Sequence, residues 1–432
     1  MEQLLQYCWK HKILPLHGLQ TPQGEKIEVI DAGLQNTDSG PDFFNAKVKI
    51  NGVVWAGNVE VHTKASLWNE HGHAKDDAYN NVILHVCQEI DMQAVTHSGI
   101  KLKQVQMNVP QYVKENYDKL LASDNYPSCK KVVKSMPKIV LYGFLDRLSA
   151  ERLEQKTASI NDVLKKCKGS WEHVLFVVIA RNFGFGVNTD VFEEWALSVP
   201  VTATMRFRNN LTQIEALFFG QSGLLNKVLN GKERDLAIKE AYFNTLVKEY
   251  SYLQHKLNVK PINAFLWKFL RLRPHNFPYI RLSQLANLFA SGNISLSKLL
   301  DSKTKKDMEQ LIKTKVSPFW ETHFSFSKTT LKKSKGLSKS SIELIIINTL
   351  APILFAYGKY RNDEMLCERA LNVLSNTKKE SNSIINMWQQ SGMEIENAAQ
   401  SQALIQLKKH YCDTKKCLQC RIGYEFLKAK IQ

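Results

Sequence analysis

The apolar repeat changes character once along this 432-residue chain. Up to about residue 110, apolar and polar residues tend to alternate. Past about Pro137 the apolar residues recur at a helical spacing. A period of two places alternate side chains on opposite faces of a strand, and a period near 3.6 lays one apolar stripe along a helix. The pattern predicts a mixed α+β chain: an N-terminal α/β module over 1–125, a linker over 126–138, and a large α-helical region over 139–432.

Within the module, Leu4, Leu5, Cys8, Trp9 and Ile13 form a helical stripe that Pro15 should end. Lys26–Ala32, Phe43–Ile50, Val53–His62 and Val82–Val86 read as strands. Asn51 and Gly52 join the second and third as a two-residue hairpin, and Val95–Val109 reads as another hairpin turning at Ser98 and Gly99. The expected helices are Ile139–Lys156, Trp171–Asn182, Asp190–Leu197, Arg234–His255, Leu282–Ala290, Ser341–Tyr357 and Ala398–Tyr411, with Ser170 and Thr189 as N-caps. Tyr126–Pro137, holding two prolines and three lysines, reads as the linker. The most apolar run, Ile342–Ala356, is interrupted by Asn348 and Pro352. It reads as a buried helix rather than a membrane span of about 18 apolar residues.

The opening MEQLLQYCWKHK has no cleavage-like signal, and the eight cysteines are mostly scattered. Both features suit a reducing, cytoplasmic setting with no membrane. No phosphate-binding P-loop is visible, since Gly184-Phe185-Gly186 is too short and reads as a turn. The net charge of +17 makes nucleic acid, DNA or RNA, the expected partner. Lys332, Lys333 and Lys335 in a Lys/Ser-rich stretch, with Lys415 and Lys416, are candidate phosphate contacts; the alternative is a solvated charge run. Oligomeric state is left open.

The densest chemistry lies between Asn36 and His85, and seven of the twelve histidines fall in the first 97 residues. Asp42 opens one strand of the first hairpin and Glu60 lies near the end of the other. Strand alternation puts Glu60, His62 and Lys64 on one face. Asp42 and Glu60 can supply hard oxygen ligands for Mg²⁺ or Mn²⁺, with a basic group on that face to activate water. His71 and His73, followed by Asp76 and with His85 from the next strand, offer a second set suited to Zn²⁺ or Mn²⁺. Trp55 and Trp68 flank these residues and read as packing groups rather than base-stacking ones.

The order of elements, with Pro41-Asp42 and Glu60-Val61-His62, resembles the PD-(D/E)xK nuclease superfamily. That resemblance implies a restriction-endonuclease-like module in which Asp42 and Glu60 hold the cation and His62 stands where the family lysine is expected. Lys64, one step along the same face, can take the lysine's part. The whole chain also resembles an uncharacterised bacterial family in which GPDF, GNVEVH, HGH, VILHV and a C-terminal CxxxxCxxC recur; that likeness implies no activity.

Cys412, Cys417 and Cys420 stand in a C-x4-C-x2-C arrangement with His410 two residues before. With His410 they can form a Cys3His zinc site. With a distant thiol, Cys8 or Cys87, they can ligate an iron–sulfur cluster, as some PD-(D/E)xK nucleases do. Three functions follow as expectations: a metal-dependent nuclease, a non-catalytic nucleic-acid-binding protein on the same fold, and a metal-dependent hydrolase of a small substrate.

Overall fold

The period-two segments fold into one mixed sheet in the computed structural model, which describes residues 1–13, 18–122 and 129–429. Its strands are β1 (Leu19–Gln20), β2 (Lys26–Asp31), β3 (Leu34–Gln35), β4 (Phe43–Ile50), β5 (Val53–Lys64), β6 (Val82–Glu89) and β7 (Gln104–Gln106). They lie in the order β1-β2-β4-β5-β6-β7, with β3 also paired to β4. Asn51 and Gly52 have φ of 46° and 87°, the two left-handed residues a tight hairpin needs, and so β4 pairs antiparallel with β5. β6 and β7 then add in parallel.

That parallel addition corrects the expectation of a second hairpin over Val95–Val109. Ser98 and Gly99 do turn the chain, closed by a single bridge between Val95 and Lys101. The chain after the turn, however, runs on to β7 beside β6. A local turn signal does not decide which strand the returning segment pairs with.

The sheet belongs to the first of two compact units, comprising Met1–Leu141, Gln390–Met393 and Leu407–Gln432. The division differs from one drawn at a single linker, because the cysteine-bearing C-terminus belongs with the sheet. Helix α1 (Glu2–Lys10) packs on β5 and buries Leu4, Leu5, Cys8 and Trp9. It closes with Lys12 in the left-handed region, while Pro15 lies outside the described residues. The unit also contains α2 (Leu67–Glu70), α3 (Gln111–Ala122), α4 (Lys130–Val133) and the helix Arg421–Lys428. Tyr126 and Pro127 of the expected linker also fall outside the described residues.

The second unit comprises Tyr142–Gln389 and Glu394–Gln406 and is helical. The helices Trp171–Phe183 and Leu211–Gln221 are buried nearly all round, so their periodicity is weak. Phe176, Trp195, Phe218 and Phe219 are wholly enclosed, each side chain contributing roughly 1.5–3 kcal/mol. Ser170 caps its helix as expected; Asn188, not Thr189, stands at the next N-cap. The expected helix Arg234–His255 is two helices, Arg234–Ala237 and Ala241–Leu257.

Lys339–Arg361 is long and apolar enough to cross a membrane by length and composition, yet 67% of its 18-residue apolar window is buried inside the protein. Pro352 lacks the N–H that would bond Asn348, and the helix answers with a π turn over Ile346–Leu350. Asn182 donates to the freed Asn348 carbonyl at 3.4 Å, and Lys156 donates to Asn348 Oδ1 at 2.8 Å and the Ile347 carbonyl at 3.3 Å.

Candidate metal centre

Register across three strands builds the site. Glu60 on β5 lies opposite His85 on β6, and His85 lies opposite Gln104 on β7. Strand alternation then puts His62 on the same face as Glu60. A register shift between Phe43 and Ala46, with Asn45 at φ 55°, bends β4 so that Asp42 meets Glu60. The Asp42 N–H donates to Glu60 Oε2 at 2.9 Å, and the Val61 N–H donates to Asp42 Oδ2 at 3.0 Å. The remaining Asp42 oxygen accepts from Gln6 of α1 at 2.9 Å.

His71 and His73 arrive from the short helix after β5. Gly72 between them sits at φ 80°, a turn that brings both imidazoles over His62. Ligating atoms of His62, His71 and His73 lie within 4.8 Å of one another. Glu60 Oε1 is 3.4 Å from His62 Nε2 and 3.2 Å from His73 Nε2. Tyr79 stacks on His73 at 3.9 Å, and buried Trp68, its Nε1 held by the Val95 carbonyl, packs against the rings of His73 and His85. Trp68 therefore packs as expected, whereas Trp55 is 44% exposed on the hairpin.

A hydrogen-bond chain selects the tautomers. Gln104 Oε1 accepts from the Ala94 N–H and its Nε2 donates to the Met92 carbonyl, which fixes the amide. Its Nε2 then also donates to His85 Nδ1 at 3.4 Å. His85 must therefore carry its proton on Nε2 and donate it to His62 Nδ1 at 2.9 Å, leaving the His62 proton on Nε2 facing Glu60.

Burial lowers His62 to about 3 and His85 to about 4, with neighbouring imidazoles adding to the effect. Both are neutral at physiological pH, as metal-binding imidazoles must be. Burial, then Glu60, pushes Asp42 up to about 7.

The predicted residues divide clearly. Asp42, Glu60, His62, His71 and His73 converge. His85 is fully buried behind His62 and reaches the cluster only through it. Lys64 sits at the end of β5, more than half exposed, paired with Glu89 at 3.4 Å. Asp76 is engaged in capping the next turn through the Ala78 N–H. Sequence reasoning missed Gln6, Gln104 and Glu2. Burial holds the Glu2 carboxyl above its ordinary range, and it also interacts with His71, Glu60 and His73. The i, i+4 pair Glu2 and Gln6 on one face of α1 was the available signal.

Elsewhere, Lys332 and Lys333 are exposed on an irregular segment, as expected, with Lys332 3.6 Å from Glu321. Lys335 corrects its expectation as a phosphate contact. It is 2% exposed, and its ammonium donates to the Trp320 and His323 carbonyls at 2.6 and 2.7 Å. Lys416 is exposed and Lys415 half-buried. A 690 Å³ cavity in the second unit is lined by Phe265, Phe269, Tyr279 and Lys227. Glu233 is the single acid in its lining.

No curated protein matches the chain and no solved structure matches it. A family model does, over residues 2–383, a span that includes every residue of the cluster. The chain belongs to the family of proteins of unknown function DUF2851.

Proposed function

We propose that the protein is a metal-dependent phosphodiester hydrolase acting on nucleic acid. The observation that carries the reading is the convergence of His62, His71 and His73 within 4.8 Å, with Glu60 Oε1 against two of them. Three imidazoles and one carboxylate suit Mn²⁺ or Zn²⁺ better than Mg²⁺, which prefers oxygen donors. Asp42 is a poor hard ligand, since both its oxygens accept hydrogen bonds and burial favours its protonated form. A divalent cation held by Glu60 and the histidines supplies Lewis acidity and an acidified water.

The chain's own residues then divide the work. Glu60, His62, His71 and His73 would hold the cation, and Tyr79 and Trp68 keep the His73 ring in place. Asp42 positions Glu60: its N–H donates to Glu60 Oε2 at 2.9 Å, while its own oxygens are held by Gln6 and the Val61 N–H. The net charge of +17 supports a polyanionic substrate.

Labelled DNA and RNA substrates incubated with Mn²⁺, Zn²⁺ or Mg²⁺ test this, wild type beside Glu60→Gln and His73→Ala. Cleavage with Mn²⁺ or Zn²⁺ that falls roughly 100-fold or more in both variants is expected. A wild type that binds in a salt-dependent manner but never cleaves would make this a recognition protein. A second reading, hydrolysis of a small substrate, draws on the imidazole-rich donors and on Lys64 standing at the surface with Glu89. Metal uptake with neither cleavage nor nucleic-acid binding would favour it.

A further inference from the structure

Cys129 and the three C-terminal cysteines Cys412, Cys417 and Cys420 belong to the first unit, and all three act electrostatically on Cys129. Cys129 stands at the N-terminus of α4 and is 6% exposed; Cys420 stands at the N-terminus of the helix Arg421–Lys428 and is 8% exposed. These two helices pack against each other. Between Cys412 and Cys420 the chain folds into a tight turn. Lys415 takes φ 55°, its N–H donates to the Cys412 carbonyl, and the Cys420 N–H donates to that of Cys417. A Cβ at Gly423 would fall 2.3 Å from the Cys417 carbonyl oxygen, so the helix lies directly on this turn. At its far end Asn116 of α3 donates to the Phe426 and Ala429 carbonyls at 3.2 and 3.0 Å.

We propose that Cys129, Cys412, Cys417 and Cys420 hold a thiophilic metal centre, a zinc ion or an iron–sulfur cluster, that fastens the C-terminal segment to the first unit. Cys417 and Cys420 have the C-x2-C spacing of one arm of such a site, Cys412 ends the π turn before them, and Cys129 heads α4, which packs on the helix after Cys420. None of the four is in a disulfide. Burial raises the Cys129 thiol well above its ordinary range, and Cys420, Cys412 and Cys417 raise it further. Burial and the neighbouring Cys420 and Cys417 likewise push Cys412 up to about 12.

Cys129 replaces His410 as the fourth ligand. His410 is two residues before Cys412 on the π turn Lys408–Cys412, and residues two apart on a helix do not share a face. Cys8 and Cys87 lie on α1 and β6, and neither is among the groups that act on Cys129.

Metal content and visible absorption of the full-length protein, purified with and without oxygen, test the centre beside Cys129→Ser and Cys8→Ser. Wild type and Cys8→Ser should hold colourless zinc, or iron and sulfide with broad visible absorption. Cys129→Ser should bind more weakly by at least the roughly 10–100-fold that losing an outer-shell partner costs. Wild type with neither metal, or Cys129→Ser with wild-type content, overturns the proposal. Should Cys129→Ser not fold, Co²⁺ added to metal-stripped wild type must give a thiolate-to-cobalt band and shield Cys129, Cys412, Cys417 and Cys420 from alkylation, but not Cys367. Cys129 alkylating equally with and without Co²⁺ would overturn it as well.

Discussion

His85 is fully buried and its Nε2 meets His62 Nδ1 at 2.9 Å, so its role in the proposed centre runs through His62. Binding a cation at His62 Nε2 requires the ring's proton on Nδ1, and His85 Nε2 is the acceptor placed to receive it. The tautomers of both rings must then reverse, and the Gln104 amide must give up its bonds to the Ala94 N–H and the Met92 carbonyl to turn its oxygen toward His85 Nδ1. His85→Leu removes the acceptor and should weaken Mn²⁺ binding roughly 10–100-fold. His85→Gln can restore an acceptor oxygen and should recover part of that loss. Isothermal titration of the three proteins at neutral pH decides it. Equal affinity in all three, or equal loss in both variants, would leave His85 a packing residue only.

At the scale of elements, the helix Leu211–Gln221 carries Glu215 inward, 1% exposed, accepting from Ser283 at 2.9 Å. Burial pushes Glu215 up to about 7 from 4.5, against the pull of Ser283. The folded chain therefore holds this proton more tightly than the unfolded one. The stability it contributes is complete below pH 4.5 and is lost as pH rises through about 7. At about 1.4 kcal/mol per pH unit that interval amounts to about 3 kcal/mol. Glu215→Gln does not titrate, so relative to wild type it should gain about that much between pH 5 and pH 8 in urea unfolding. Parallel pH profiles would show that Glu215 is ionised throughout. This helix was also hard to read. Ile214, Leu217 and Phe218 on one side and Ala216 and Phe219 on another are all buried, so no polar face marks the period. The amphipathic Glu2–Lys10 and the Asn51-Gly52 hairpin were legible because one side of each pattern meets water or a turn. The site was half legible for a related reason. Asp42, Glu60 and His62 follow from strand alternation, whereas Gln104 enters only through a parallel pairing that no local signal specifies.

The whole molecule has two cores, and the chain leaves the first unit after Leu141, rejoins it briefly at Gln390–Met393 and finally from Leu407. The proposed Mn²⁺ centre lies wholly in the first unit and Glu215 wholly in the second. Each unit has its own apolar interior, so thermal unfolding should show two transitions, each answering to its own perturbation. A cation that binds only the folded first unit at 100 times its dissociation constant stabilises it by about 2.7 kcal/mol. For a unit of this size that shift is roughly 5–10 °C in one transition, with the other unmoved. Glu215→Gln should displace the complementary transition, and more so at high pH than at low. Scanning calorimetry of both proteins, with and without Mn²⁺, gives four traces. If Mn²⁺ and Glu215→Gln move the same transition, either the units unfold as one or the cation binds outside Glu60, His62, His71 and His73. Repeating the scan with His73→Ala separates these outcomes, because a cation bound elsewhere still stabilises that variant while one held by the cluster does not.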